Sequence, residues 1–241
     1  MGLLRFSYRS EILSLHTNIT VTLPSEELTY YPLTDIKREE GVAARRKWEY
    51  RDGMKFQTVY LLHGGGDDDT CVVRKSNIER YAEENCVMTV TAQANDSFFM
   101  DTQYGYKYFT FLTEELPKVI QTMFPSSPKR EDNFVAGVAM GGNGSLALGL
   151  KRPDLYAACV DLSGGIGCSV DTDAFIDEVR TLKMERLQST FGNPDKLRDG
   201  QYDLGGYARR AVENGTKLPD IISQLAKMIL YVMLCVKTGM H

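Results

Sequence analysis

The feature that most constrains the fold of this sequence is a repeated alternation between short apolar runs and segments of helical periodicity. Runs at residues 58–62, 87–91, 134–138 and 157–162 have the length and continuous apolarity of strands buried on both faces. An alternating run predicts a further strand at 19–23, and helical spacing is found at 77–84, 109–124, 142–151, 172–186 and 202–214. The alternation predicts one α/β domain over residues 1–241, a mostly parallel sheet with helices on both faces.

The composition narrows the class of partner. The chain has 241 residues, of which 43% are hydrophobic and 25% charged, values typical of a soluble globular protein. Its formal net charge of −4 provides no basic field, so nucleic acid is not expected as a partner. The longest apolar run, residues 228–236, is much shorter than the roughly 20 residues of a membrane span, so no membrane association is expected.

The cysteines bear on the cellular compartment. They lack the paired spacing of a metal finger or a disulfide framework, so we expect reduced thiols and no metal site. The start of the chain shows no signal-peptide pattern, which favours a cytoplasmic protein. No motif indicates a cofactor, and none is expected. The five cysteines are Cys71, Cys86, Cys159, Cys168 and Cys235.

The segment 133–150 joins a predicted buried strand directly to a helix of small residues. At the junction, Gly137, Ala139 and Gly141 occupy alternate positions of the sequence GVAMG. This is the layout of the nucleophile elbow GxSxG, whose central residue adopts a strained turn and whose neighbours two positions away must lack side chains. The following helix would direct amides and a partial positive charge at the reacting centre. The alternative is a glycine pair that only lets a helix pack closely on a sheet.

A second glycine motif follows the strand predicted at 58–62. The sequence from His63 to Gly66, HGGG, matches the loop that donates a backbone amide to an oxyanion hole. A phosphate-binding loop is the alternative, but no GK[ST] follows, and three consecutive aspartates would repel phosphate. Those aspartates could bind a cation, yet they lack EF-hand spacing, so a solvated loop is the simpler interpretation.

Together these motifs resemble the putative esterase family of α/β hydrolases, which includes esterase D (S-formylglutathione hydrolase) and bacterial tributyrin and feruloyl esterases. The matching pieces are VYLLHGGGDD, the stretch 95–125, KREDNFVAGVAMGG and LKRPDLYAACVDLSGG. The similarity covers about residues 5–220 and is greatest to the tributyrin-esterase-like branch. It implies an α/β-hydrolase fold and a Ser-His-Asp triad that hydrolyses carboxylic esters.

The resemblance assigns roles at the two glycine motifs. Ala139 takes the place of the nucleophilic serine, and the amides of Gly65 and Met140 match the donors of the oxyanion hole. Such donors act on charge that develops in the transition state, and each is typically worth about 3 kcal/mol. The main difficulty for catalysis is therefore at residue 139, because a methyl group cannot attack a carbonyl.

Four further residues are expected near a bound ester. His63 and Gly64 belong to the glycine loop, and Asn95 and Ser97 lie in the segment that matches a loop near the family's substrate pocket. The resemblance therefore implies a small-molecule ester as the ligand.

The acid and base of the triad are missing where the resemblance implies them. The similarity stops after Ile221, and neither the acidic loop nor the Gly-His motif follows. Among the histidines, His63 belongs to the glycine loop, His16 precedes the first predicted strand, and His241 is a terminal residue. Asp161 lies near the end of a predicted strand, where some hydrolases place an acid, but it has no histidine to orient. We expect the last strand and helix of the fold to be lost, which exposes a sheet edge and favours homo-oligomers.

The codons compatible with residues 222–230 suggest how such a tail arises. We consider the loss of one nucleotide from the coding DNA just after the codon of Ile221. Each codon of the original reading frame then consists of the last base of one present codon and the first two bases of the next. Met228 is ATG and Ile229 begins AT, so that triplet is GAT, aspartate. Compatible codons give YISVGKDDFL, similar to the family's missing strand and acidic loop. We interpret residues 222–241 as a frameshifted tail; a divergent helix over 219–236 is the alternative, and the coding DNA distinguishes them.

Three functions remain open at this point, and so does whether the chain is an enzyme. The first is a carboxylic-ester hydrolase scaffold that is inactive or nearly so. The second is a non-catalytic module whose pocket binds an ester, a sugar or a protein. The third is a cysteine hydrolase that uses Cys71, Cys159 or Cys168, none of which lies in the elbow.

Overall fold

A mixed β-sheet forms the centre of the structure, a computed structural model that describes residues 1–25, 51–164, 171–182 and 184–224. Its strands are β1 (Gly2–Ser10), β2 (Leu15–Leu23), β3 (Thr58–Leu62), β4 (Met88–Ala92), β5 (Asn133–Val138), β6 (Ala158–Leu162) and β7 (Asp220–Gln224). Within these ranges the strands lie in the order β1-β2-β4-β3-β5-β6-β7. The pairs β1–β2 and β2–β4 are antiparallel, and every other pair is parallel.

Helices fill the connections between the parallel strands. They are α1 (Cys71–Lys75), α2 (Ile78–Asn85), α3 (Tyr108–Thr110), α4 (Leu116–Met123), α5 (Met140–Lys151), α6 (Thr172–Thr181), α7 (Glu185–Phe191) and α8 (Leu204–Glu213). The connections β3–β4 and β5–β6 run in opposite directions along the sheet, so right-handed crossovers put α2 and α5 on opposite faces. No helix in the described ranges is long and apolar enough to cross a membrane.

The central strands are apolar because helices cover both of their faces. Leu62 of β3 and Val90 of β4 are almost completely buried, and both belong to one hydrophobic cluster that also includes side chains of α5 and α8. β1 instead exposes many of its side chains, as expected for a strand at the edge of a sheet. This arrangement confirms the predicted mostly parallel sheet with helices on both faces.

Four of the five predicted strands agree with the structure to within one residue at their ends. The runs at 58–62, 87–91, 134–138 and 157–162 are β3, β4, β5 and β6, and the strand predicted at 19–23 is β2, which begins earlier, at Leu15. The sequence pattern did not indicate β1 or α1, because β1 is largely exposed and α1 is very short. Most of the polar excursion predicted at 25–55 lies outside the described residues.

Two of the predicted helices are divided. The helix expected at 109–124 contains a π-helical turn, Phe111–Glu115, directly before α4. Pro117, in the first turn of α4, has no N–H and its ring would clash with the Thr113 carbonyl of a regular helix, so the backbone widens there. The helix expected at 172–186 is α6 followed by the separate α7, which buries Leu187 and Phe191.

The sheet extends beyond the point where the family resemblance ends. β7 pairs in parallel with β6, with Ile221 opposite Cys159 and Ile222 opposite Val160. The alternative of a helix over 219–236 is therefore wrong for the residues of β7, which form a strand. In β7 the residues Ile221 and Ile222 are 45% and 58% exposed. The proposed frameshifted tail from residue 225 onward, and with it the expected loss of a final strand and helix, lies outside the described residues.

One carboxylate attaches the β1–β2 hairpin to the helical layer. Glu115 accepts hydrogen bonds from the hydroxyls of Tyr8 at 3.0 Å and Ser10 at 2.6 Å. It also accepts the backbone N–H groups of Glu11 at 2.9 Å and Ile12 at 3.2 Å. Burial raises the pKa of Glu115, but these donors outweigh burial and hold the pKa below its ordinary value. The ionised side chain therefore clamps the hairpin turn.

Replacing this carboxylate by an amide should weaken the fold in a pH-dependent way. For Glu115→Gln we expect the free energy of unfolding near pH 7 to fall by about 2 kcal/mol, because charged acceptors are lost. Since the folded-state pKa is depressed, the carboxylate's contribution is present above the unfolded-state pKa and is lost as the pH falls through the folded-state pKa. Urea unfolding should therefore show the two proteins converging in acid.

The neighbouring Glu114 supplies the control for this experiment. Its side chain is more exposed and pairs with Arg152, so Glu114→Gln should change the free energy of unfolding by less than about 1 kcal/mol. Equal losses from the two variants would contradict the clamp.

Candidate active site

A tight turn joins β5 to α5 at Ala139. This residue has φ 53° and ψ −115°, a backbone conformation that L-amino acids with a side chain avoid. β5 ends at Val138 and α5 begins at Met140, so the turn consists of Ala139 alone. Ala139 is partly exposed. Hydrogen bonds hold it on both sides: the Ala139 N–H donates to the Leu162 carbonyl at 3.0 Å, and its carbonyl accepts the Gly142 N–H at 2.8 Å. Ala139 thus occupies the strained strand-to-helix turn predicted from the sequence.

The glycines on either side of Ala139 are required by close contacts between main-chain segments. A Cβ on Gly137 would lie 1.9 Å from the Gly141 carbonyl oxygen, and a Cβ on Gly141 would lie 2.2 Å from the Leu62 carbonyl oxygen. Backbone cannot move aside as a flexible side chain could, so only glycine fits either position. Close helix packing alone would explain the two glycines, but it would not explain the positive φ of the residue between them.

The glycine loop after β3 lies beside this turn. β3 and β5 are parallel neighbours with Leu62 opposite Gly137, so the two chains leave the sheet side by side. A Cβ placed on Gly64 would lie 3.8 Å from the Cβ of Ala139. Met140 begins a helix, so its N–H has no acceptor within that helix. No described residue accepts from the Gly65 N–H either, and a role of both amides as oxyanion donors stays a prediction.

The His63 side chain supports the glycine loop from inside the protein. Its Nε2 accepts the Ala94 N–H at 3.1 Å, so Nδ1 carries the proton and donates to the Gly64 carbonyl at 2.8 Å. Burial lowers the pKa of His63, and its ring packs at 5.1 Å from that of Phe99. The side chain is fully buried and both nitrogens bind main chain, and contact of His63 with a substrate stays a prediction. Its role is to position Gly64.

Two charged residues that the sequence analysis did not single out brace the same loop. Asp96 accepts the Gly66 N–H through Oδ1 at 2.7 Å, and its Oδ2 lies 3.7 Å from the Arg186 guanidinium. A Cβ on Gly65 would lie 3.4 Å from Asp96 and 3.6 Å from Arg186, so both side chains flank this glycine. Asp96 could have been found from its place between Asn95 and Ser97, whereas no local signal points to Arg186 on the distant α7.

The predicted contacts Asn95 and Ser97 shape the loop after β4. Asn95 adopts a left-handed conformation with φ 47° and donates from its amide to the Tyr108 hydroxyl at 2.6 Å. Burial raises the pKa of Tyr108, so its hydroxyl keeps its proton. Ser97 is buried and its hydroxyl accepts the Phe99 N–H at 3.2 Å. Both residues therefore have structural hydrogen bonds, and contact with a ligand stays a prediction.

A cavity of about 210 Å³ opens beside the glycine loop, between the loop after β4 and α7. Asp96 and Arg186, which flank Gly65, form part of its wall, as do Asn95 and Ser97. Ala139 is not among the residues that line this cavity. The remaining wall is mainly aromatic and hydroxylic, and includes Thr102, Tyr104, Tyr106, Tyr108, Ser189 and Thr190.

A general base for Ala139 is not found within the described ranges. The described ranges hold two histidines, His63 in the glycine loop and His16 in β2. Two strands, β4 and β3, separate β2 from β5, so His16 is distant from Ala139. His241 lies outside the described residues. Asp161 is buried and accepts the Gly164 N–H at 2.7 Å and the Ser223 hydroxyl at 2.9 Å. It thus joins β6 to β7 and orients no imidazole in the described structure.

Burial disfavours the thiolate form of the two described cysteines that were candidates for a nucleophile. Burial raises the pKa of Cys71, and it raises the pKa of Cys159 to about 12. Both side chains therefore stay protonated near neutral pH, where a reactive cysteine needs its thiolate. Cys168 lies outside the described residues. The geometry gives no support to a cysteine hydrolase.

The three aspartates after the glycine loop are divided among different partners. Asp67 pairs with Lys75 of α1 at 2.8 Å, and the fully buried Asp69 pairs with Arg5 of β1 at 2.8 Å. Asp68 accepts the N–H and the hydroxyl of Thr70 at 2.9 and 2.6 Å. The charge run therefore anchors the glycine loop to α1 and to the edge hairpin.

Comparison with known proteins agrees with this geometry. Residues 35–204, more than half of the chain, match the model of the family described as Putative esterase. An acetyl esterase from Caldicellulosiruptor saccharolyticus is 26% identical over 167 residues, which make up 69% of this chain and 57% of that protein. The chain therefore spans little more than half the length of this relative.

Two solved structures from Staphylococcus aureus share the fold. They are the fluorophosphonate-binding serine hydrolase FphF with substrate bound, at a TM-score of 0.73, and the apoenzyme of the S-formylglutathione hydrolase FrmB, at 0.70. Each is 22% identical to this chain, and each alignment covers 100% of this chain and 88% of the other. The likeness confirms the predicted α/β-hydrolase fold.

The strain at residue 139 can be measured by substituting glycine. Ala139→Gly should raise the free energy of unfolding by about 1 kcal/mol, because glycine adopts a positive φ without steric cost. The matched control is Ala136→Gly in the middle of β5, which should lower the free energy of unfolding by about 1 kcal/mol. Urea unfolding of both variants gives the comparison, and a loss of stability from Ala139→Gly would show that the turn is unstrained.

Proposed function

The chain belongs to the putative esterase family, and from that premise we propose that it is a carboxylic-ester hydrolase scaffold whose catalytic step is impaired. The ligand is a small ester or thioester, of the short-chain acyl, S-formylglutathione or feruloyl type. One observation carries the proposal: Ala139, with a methyl side chain, occupies the strained strand-to-helix turn where the family resemblance implies the nucleophile. The names of the relatives, acetyl esterase and S-formylglutathione hydrolase, support the same substrate class.

The retained part of the machinery is the oxyanion hole. The carbonyl oxygen of an ester bound at residue 139 would accept hydrogen bonds from the N–H groups of Gly65 and Met140. The amino end of α5 would stabilise the negative charge that develops on this oxygen. Each donor of this kind typically contributes about 3 kcal/mol to the transition state. His63 and Asp96 keep the loop in place, so these donors need no rearrangement when the charge appears.

The impaired part is the chemistry of attack. In a serine esterase the hydroxyl gives its proton to a histidine as it bonds to the carbonyl carbon, and the alcohol then leaves to give an acyl-enzyme. The methyl group of Ala139 has no lone pair, so this covalent intermediate cannot form at residue 139. Hydrolysis would be limited to direct attack by water, assisted by the two amides.

The cavity beside Gly65 would hold one substituent of the ester. Tyr104 and Tyr106 offer aromatic surface, while Arg186 offers a charged group. A wall of this kind suits a ring that carries hydroxyl groups better than a long alkyl chain.

A thiol at the turn tests the proposed arrangement without requiring a histidine. In Ala139→Cys the introduced sulfur lies at the amino end of α5, which lowers its pKa, and it can attack an activated ester directly. We expect p-nitrophenyl acetate to acylate this variant at least about tenfold faster than Val138→Cys, whose thiol is one residue outside the turn. Mass spectrometry locates the acetyl group, and the unaltered chain should carry none at residue 139. Equal rates for both variants would contradict an oxyanion hole at this turn.

A second candidate function is a non-catalytic module that binds an ester or a carbohydrate. The observation in its favour is that the cavity keeps its aromatic and polar wall although the nucleophile is absent. The two functions share the ligand and differ in whether alcohol is released.

Binding to the cavity should appear as thermal stabilisation. A saturating small ester or glycoside should raise the unfolding midpoint of the chain, and Tyr106→Ala should abolish the rise because this ring lines the cavity. Tyr81→Ala, which removes a similarly exposed ring from α2, should leave the rise unchanged. A rise that survives Tyr106→Ala would place the ligand elsewhere.

Location in the cytoplasm and assembly into homo-oligomers stay predictions.

A further inference from the structure

Three deeply buried polar atoms have no hydrogen-bond partner in the described part of the chain. They are the hydroxyl oxygens of Tyr60 and Tyr156 and the side-chain oxygen Oδ1 of Asn133. These residues are only 3%, 1% and 5% exposed. A buried polar atom that loses its contacts with water destabilises the fold unless a new partner replaces them. Three such atoms in one place therefore need an explanation.

All three residues line the same small cavity. Its volume is about 50 Å³, and it lies at the amino ends of the central strands, between the segments that contain Pro117 and Leu155. The rings of Tyr60 and Tyr156 meet edge to face at 6.0 Å. Burial raises the pKa of both tyrosines, so both hydroxyls keep their protons and remain donors. The cavity is distinct from the candidate active site, since β5 begins here and ends at the strained turn.

The orientation of the asparagine amide is fixed by its other hydrogen bonds. Nδ2 of Asn133 donates to the carbonyls of Ser127 at 2.8 Å and Lys129 at 2.7 Å. Both amide protons are thereby used, so Oδ1 must be the atom that remains unpaired. The cavity therefore offers two hydroxyl donors and one carbonyl acceptor. The nearby carboxylate of Asp154 is already paired with Arg152 at 2.7 Å.

We propose that this cavity is a binding site for ordered water, with one or two molecules bridging Tyr60, Tyr156 and Asn133. A water molecule accepts two hydrogen bonds and donates two, which complements two hydroxyl donors and one acceptor. The volume agrees, because a cavity measured in this way needs only about 10–15 Å³ to hold one water. The cavity is about a quarter of the size of the one beside the glycine loop, which has about 210 Å³, so an ester substrate does not fit.

The bridge would join three neighbouring parts of the sheet. Tyr60 belongs to β3, Asn133 begins β5, and Tyr156 precedes β6. The water would hold these segments together at the amino ends of the central strands, at the opposite end of β5 from the strained turn. This inference does not depend on the proposed function, because none of its residues belongs to the candidate active site.

The sign of a stability change tests the bridge. If water satisfies the hydroxyls, Tyr60→Phe and Tyr156→Phe should each lower the ratio of folded to unfolded protein about fivefold. The double variant should lose less than the product of the two, since both hydroxyls bind the same water. If the hydroxyls are truly unpaired, removing either one should raise the ratio instead, which would overturn the proposal.

Two tyrosines calibrate the measurement. The Tyr202 hydroxyl donates to the Asp101 carbonyl at 2.7 Å, so Tyr202→Phe gives the loss expected for a satisfied hydroxyl. Tyr81 is 54% exposed, and Tyr81→Phe should leave the ratio unchanged. An effect of Tyr60→Phe that matches Tyr81→Phe would also argue against the bridge.

A crystal structure of the full chain identifies the occupant directly. We expect a density peak within about 3.2 Å of the three oxygens, absent in the double variant. Crystals soaked in a rubidium salt should give no anomalous signal there. An empty cavity, or a rubidium peak that reveals a cation site, would overturn the proposal.

Discussion

The contact between the start of α5 and the ends of β3 and β5 is the constraint on which this structure depends. Main chain touches main chain there, so Gly137 and Gly141 have no room for a side chain. The chain between them must reverse within one residue, and Ala139 takes a positive φ as a result. Because main chain meets main chain at both contacts, the turn keeps its shape with alanine at the position where the family resemblance implies serine. The amide of Met140 is fixed in the same way, since it begins the helix that the glycines hold in place.

Much of this arrangement could be predicted from the sequence, because its causes are local. Continuous apolar runs identified the central strands, and the spacing of Gly137 and Gly141 identified the turn. The break before α4 also had a local signal in Pro117, although helical spacing alone did not reveal it. Other features depend on residues that are distant in sequence. His63 is visible in the sequence, but its burial arises from Ala94 and Phe99 of another loop.

The same limit applies to the wall of the candidate site. Arg186 reaches Gly65 and Asp96 only because α7 folds back over the loop after β4. No pattern within α7 distinguishes this arginine from a solvated one. β1 was missed for a related reason, since an edge strand leaves many of its side chains in water and its sequence lacks a buried run. Local patterns thus predicted the backbone of the site better than the side chains that surround it.

The identity of residue 139 is informative when it is set against the strain of the turn. A positive φ costs an alanine stability, whereas glycine would adopt it freely. If the turn served only to pack a helix on the sheet, glycine would be the better residue. In a hydrolase the strain is useful because it presents a nucleophile beside free backbone donors. Alanine carries the cost and supplies no nucleophile, so the strain has no evident benefit for packing and is consistent with the serine that the family resemblance implies at this position.

The two ends of β5 are held by different physical means, and the turn at Ala139 depends on both. At the carboxyl end, close main-chain packing fixes the chain, while at the amino end Asn133 is bound to the 127–129 loop and lines the small polar cavity. The parallel register pairs Thr58 with Asn133 and Leu62 with Gly137. A slip of one residue would invert the faces of the strand and carry Gly137 away from the contact that requires it. The pairing that holds β3 and β5 in register therefore also preserves the distance between Gly64 and Ala139, on which any ester chemistry would rely.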